Sequence, residues 1–139
     1  MAGPEDLGKI SEADGAFLAG LINRGGSIYV TGGKNGKDRY PQVCLKIRGL
    51  DEDVARRVKD LIPGTHVISG SNTQWGNHFV TQGAALALVE AHPYLSERLK
   101  KQAHYVFEFA KASPRRGTRI TLEQRKVREK ALEALRRGA

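Results

Sequence analysis

The stretch that most restricts how this chain can fold lies near its start. Ala16-Phe17-Leu18-Ala19-Gly20-Leu21-Ile22 is apolar nearly all the way round a helix, and Gly25-Gly26 follows almost at once. A helix with one apolar stripe needs one neighbour, whereas a helix apolar on every side must be covered from more than one direction. Ser11, with Asp14 three residues on, resembles a capping box and sets where this helix begins. Beyond the glycines the period changes to two. Ile28 and Val30 alternate with Ser27, Tyr29 and Thr31, the pattern of a half-buried strand.

A glycine-rich basic loop, Gly32 to Arg39, leads to a second alternating strand. Val43, Leu45 and Ile47 share one face of it, and Gln42, Cys44, Lys46 and Arg48 share the other, so the two strands read as a hairpin with one apolar and one basic face. Asp51 opens a second helix with Glu52 and Asp53 in its first turn, where the helix dipole favours acids. Val54, Val58, Leu61 and Ile62 form its stripe, and Pro63-Gly64 stops it. Thr65 to Ser69 and Gln74 to Val80 read as another hairpin, in which the inward residues among Asn77, His78 and Phe79 stay open. A helix over about 83–91 ends before Pro93, Ser96 caps the next, and Thr121 with Gln124 marks a capping box for the last.

The order α-β-β-α-β-β-α-α plus a closing helix predicts an α+β domain with one antiparallel sheet and helices over one face. Residues 1–10 read as a polar tail, 11–112 as the core, and 113–139 as a basic linker with a C-terminal helix. A chain of 139 residues is long enough for a real core. Its one cysteine, Cys44, makes no disulfide within the chain, and the start Met-Ala-Gly-Pro-Glu-Asp lacks the regions of a signal peptide. A cytoplasmic setting is the expectation. The formal charge of +8, from 23 Lys and Arg against 15 Asp and Glu, favours a polyanionic partner. No exposed basic amphipathic helix carries the aromatic anchors of a membrane-surface binder.

The run Leu18-Ala19-Gly20-Leu21-Ile22-Asn23-Arg24-Gly25-Gly26 resembles the motif of the LAGLIDADG homing endonuclease family, matching it at six of nine positions. Ser27-Ile28, the basic second strand, His92-Pro93-Tyr94-Leu95 followed by Lys100-Lys101-Gln102-Ala103, and Thr121-Leu122-Glu123 resemble the same family. The resemblance implies an αββαββα unit whose saddle-shaped antiparallel sheet lies in the major groove, extended here by extra C-terminal helices. It also implies homodimerisation through the motif helix, with Phe17, Leu18, Gly20 and Leu21 at the seam; an ordinary buried helix is the plainer account of that run.

The sequence departs from the family where the chemistry sits. The position of the family's metal-binding carboxylate is Gly25, the other acidic position is Asn23, and Arg24 stands between them. Two-metal hydrolysis requires anionic oxygens. No catalytic residue, metal site or cofactor is expected, and the four histidines and Cys44 do not fall at zinc-ligand spacings. The resulting expectation is a non-cleaving, sequence-specific reader of double-stranded DNA, a regulator derived from a homing endonuclease. Its predicted contacts are Arg24 at the dyad, Tyr29, Thr31, Gln42, Lys46 and Arg48 on the first hairpin, and Lys34, Lys37 and Arg39 in its loop. Asn72, Gln74 and Asn77 on the second hairpin, Lys100 and Lys101, and Arg115 and Arg116 complete the set. The competing readings are an active metal-dependent endonuclease with atypical ligands and an RNA-binding splicing maturase.

Overall fold

A computed structural model of the chain describes residues 10–31, 41–70, 74–113 and 119–138. Lys34, Lys37, Arg39, Asn72, Arg115 and Arg116 lie outside the described residues. The first helix, α1 (Glu12–Gly25), starts where Ser11 Oγ accepts the Asp14 backbone N–H at 3.1 Å. The return half of the expected capping box is absent, because the Asp14 carboxylate pairs with Arg57 at 3.1 Å instead. α1 passes into β1 (Gly26–Thr31) with no connecting loop. Gly25 and Gly26 permit this through close approach: a Cβ would lie 2.9 Å from the Arg48 carbonyl oxygen at the first and 2.7 Å from the Ile22 carbonyl oxygen at the second. Neither needs a left-handed backbone, and Gly26 is already extended at φ −87°.

Next come β2 (Gln42–Leu50), α2 (Glu52–Leu61), β3 (His66–Ile68), β4 (Trp75–Val80) and α3 (Gln82–Ala91). A 3-10 turn at His92–Tyr94, with Pro93 in its first positions, separates α3 from α4 (Glu97–Lys111), and α5 (Leu122–Arg136) closes the chain. The strands form one antiparallel sheet in the order β1-β2-β4-β3. The expected alternation in β2 is present, with Val43, Leu45 and Ile47 fully buried. A bulge then shifts the register, since Ile47 pairs with Asn77 but Leu50 with Trp75. Gly49, at φ +74°, supplies the turn of the bulge, and Gly76 opposite has no room for a Cβ, which would sit 2.2 Å from the Ile47 carbonyl oxygen. Leu50 thereby returns to the buried face.

That face meets Leu18, Ile22, Val58, Leu88, Leu99, Val106 and Phe109 in a single core. α5 belongs to it through Ala131, Leu132 and Leu135. The predicted capping box at its start forms in full, Thr121 N–H to Gln124 Oε1 at 2.9 Å and Gln124 N–H to Thr121 Oγ1 at 3.0 Å. Arg128 lies over the Phe109 ring at 4.4 Å and donates to Ser113 Oγ at 2.8 Å, locking α5 to the end of α4. Asp51 precedes α2 but makes no side-chain cap. Among the described residues no helix is long and apolar enough to cross a membrane.

Candidate nucleic-acid interface

The second face of the sheet carries no helix-packed apolar row. Strand register places Ser27, Lys46, His78 and His66 side by side across all four strands. Tyr29, Cys44 and Val80 form the next row, and Thr31 pairs with Gln42 at the end. Thr31, Gln42, Arg48, His66 and Gln74 are exposed, while Tyr29, Lys46 and His78 are half-buried. The described residues of this face include no Asp or Glu. Five residues expected together, Tyr29, Thr31, Gln42, Lys46 and Arg48, share it, with Gln74 at the start of β4.

Cys44 also belongs to this face, yet it is only 1% exposed. Tyr29 explains its burial. From β1 the phenol reaches diagonally across β2 and sets its hydroxyl 2.7 Å from His78 Nε2, the two rings stacked at 6.1 Å and 28°. The thiol is enclosed beneath, with Thr31 Oγ1 3.8 Å from its sulfur. Burial, then the neighbouring Cys44, raises the Tyr29 pKa, and burial raises that of Cys44. Burial, then Lys46 and His66, lowers the His78 pKa. At neutral pH the phenol keeps its proton and the imidazole is uncharged, so Tyr29 donates to Nε2 in the Nδ1–H tautomer and accepts from it in the Nε2–H tautomer.

Two expectations fail here. Asn77 is fully buried on the helix-covered face, where its Nδ2 donates to the Ala55 carbonyl at 2.9 Å and its Oδ1 has no partner among the described residues. It cannot meet a ligand on the other side. Pairing with Ile47 puts it inward, and His78 takes the outward place. Leu18, assigned to a subunit seam, is fully buried within its own subunit. His66 and His78 are the residues missed: a three-residue β3 is too short to show alternation, and in β4 Asn77 and His78 are both polar. His92 and His104 instead lie beside the Phe107 and Tyr105 rings.

The end of α1 forms a second locus. Asn23, standing where the family resemblance puts an acid, donates from Nδ2 to the Tyr94 carbonyl at 3.0 Å and accepts the Ser96 N–H on Oδ1 at 2.9 Å. It ties α1 to the N-cap of α4, whose first two turns carry Lys100 and Lys101; Lys100 lies 3.8 Å from Glu97 and Lys101 is exposed. Arg24 is exposed beside it. A divalent cation does not fit this end of the helix. Gly25 offers no ligand, Asp14 is engaged by Arg57, and no three or more His, Cys, Asp or Glu side chains are grouped for a metal among the described residues. Along α1, Ala13, Ala16 and Gly20 are exposed and Phe17 and Leu21 half-buried, opposite the core-facing Leu18, Ala19 and Ile22.

No protein-family model and no curated protein matches the chain. Solved structures do. The homing endonuclease I-CvuI in complex with its target matches at 17% identity and TM-score 0.62, over 89% of this chain and 95% of its own. The archaeal intron-encoded homing endonuclease I-Vdi141I, complexed with DNA, matches at 12% identity and TM-score 0.69, over 92% of this chain and 85% of its own. I-SmaMI, bound to an uncleaved DNA target with calcium ions, matches at 15% identity and TM-score 0.64, over 94% of this chain but 46% of its own. The chain has the LAGLIDADG homing endonuclease fold.

Proposed function

We propose that this chain uses the LAGLIDADG homing endonuclease frame to bind double-stranded DNA by sequence, as a homodimer, without cutting it, and serves as a cytoplasmic regulator. The observation that carries the reading is the acid-free sheet face. Lys46 and Arg48 supply charge for phosphate and donors for guanine, and Gln42 supplies the paired donor and acceptor that suit adenine. The DNA in the I-Vdi141I complex supports the choice of ligand. The chain's 46% share of I-SmaMI, against 95% of I-CvuI, supports pairing, since a second copy doubles the reading surface. Gly25 and the latched Asn23 support the absence of cutting, and Arg24 replaces the missing cation as a direct phosphate contact.

The test is selection of bound duplexes from a random library with magnesium present and structured RNA as competitor. Intact DNA enriched in a two-fold related sequence is the expected outcome. Broken strands would establish an endonuclease in its place, and retention of RNA over duplex would establish an RNA-binding protein.

A further inference from the structure

The Tyr29–His78 contact joins two strands that are not neighbours, on the face just assigned to the duplex. We propose that the two residues form a specificity-determining unit: His78 presents Nδ1–H to an acceptor on a base edge, and Tyr29 is the positioning residue that fixes this tautomer. The inference rests on the reading of the sheet as a duplex-binding surface.

A neutral imidazole has one donor and one acceptor nitrogen, and whatever bonds to one sets the role of the other. A phenol that donates across the 2.7 Å contact takes Nε2 as its acceptor and leaves the ring proton on Nδ1. Among the described residues no group accepts from Nδ1. Lys46 and His66 flank the ring in its own row, and burial first, then these two neighbours, oppose a second proton. The result is an uncharged, oriented donor beside the charged Lys46. Charge holds phosphate, but a fixed neutral donor discriminates. In the major groove adenine and guanine N7, guanine O6 and thymine O4 satisfy it, whereas cytosine offers a donor only. Covering the Cys44 thiol needs only the ring, whereas the hydroxyl interacts with both Cys44 and His78.

Tyr29→Phe removes that hydroxyl alone, and His78→Phe removes the donor. Both are compared with the native protein by binding to a panel carrying every single-base change in the selected site. The expected result is relaxed preference at one and the same base pair per half-site, by roughly two- to tenfold, the range of a single hydrogen bond. Neither substitution removes a cationic side chain, so the salt slope of binding is expected to keep its native value. A long-range proton–nitrogen NMR correlation on the native protein should place the imidazole proton on Nδ1, and Tyr29→Phe should give a mixture. Preferences unchanged in both variants, a uniform loss across all sequences, or a proton on Nε2 would each overturn the inference while duplex binding stands. Failure of the native protein to select any duplex would instead remove the functional reading beneath it.

Discussion

Position 25 carries a hydrogen atom where the family resemblance puts a carboxylate. An L side chain there would place its Cβ 2.9 Å from a backbone oxygen of the adjoining strand, and that oxygen is held by the sheet rather than by a movable side chain. Forced contacts of this kind cost about 1–3 kcal/mol. A carboxylate at a helix C-terminus is disfavoured by the dipole as well, by about 0.3–1 kcal/mol. Gly25→Asp is therefore expected to lower the melting temperature by several degrees and to leave the protein unable to nick DNA with magnesium. Melting unaltered and magnesium-dependent nicking restored would show that the site had merely lost its acid. His78 makes a different residue-scale prediction. Its pKa is lowered in the folded chain by burial, then by Lys46 and His66, so the unfolded chain takes up this proton at the higher pH. Its contribution to stability is complete above the ordinary histidine value of about 6.5 and is lost as pH falls through the folded value. His78→Phe should flatten the fall in stability on acidification, read by urea melts at several pH values; identical slopes for the two proteins would refute it.

At the scale of elements, α5 shows how a local signal serves a global structure. Its capping box closes both bonds at Thr121, and its Ala131, Leu132 and Leu135 enter the same core as the sheet. Loss of the cap by Thr121→Ala costs about 1 kcal/mol. Because the helix is docked, that cost is expected as a lower denaturation midpoint with unchanged cooperativity, in one transition. A separate early loss of helicity would mean that α5 stands apart from the core. Such caps, the alternation of β1 and β2, and the element order were legible because each is written within a few adjacent residues. The second hairpin was legible as a hairpin, but the facing of its residues was not. Asn77 and His78 are both polar, so composition does not say which faces in; pairing of Ile47 with Asn77 does, and that pairing joins residues thirty positions apart. Leu18 was misassigned for a related reason, since a helix apolar all round does not mark which side its own subunit claims. The burial of Cys44 depended on Tyr29 reaching over the strand between, which no spacing announces.

The whole molecule leaves one surface unexplained by a single copy. α1 commits Leu18, Ala19 and Ile22 to the core, and its other side presents exposed Ala13, Ala16 and Gly20 with Phe17 and Leu21 half-covered. Glycine inside a helix costs about 0.5–1 kcal/mol against alanine. At Gly20 nothing among the described residues repays it, for a Cβ there would meet none of their atoms within 4 Å. The cost is accounted for if a second copy of the same helix crosses at that point, where small residues let two backbones approach in an isologous contact. In the proposed pairing each copy would add its formal +8 to the field met by phosphate. Gly20→Gln separates these roles, because glutamine is a better helix former and the isolated subunit has room for it. The variant is expected to sediment as a folded monomer at least as resistant to denaturant per subunit as the native chain. Its DNA affinity should show about half the native salt slope, since each particle then neutralises about half as many phosphates. A dimer that persists with the full slope would place the subunit contact somewhere other than α1, and the bare face of that helix would need a different partner.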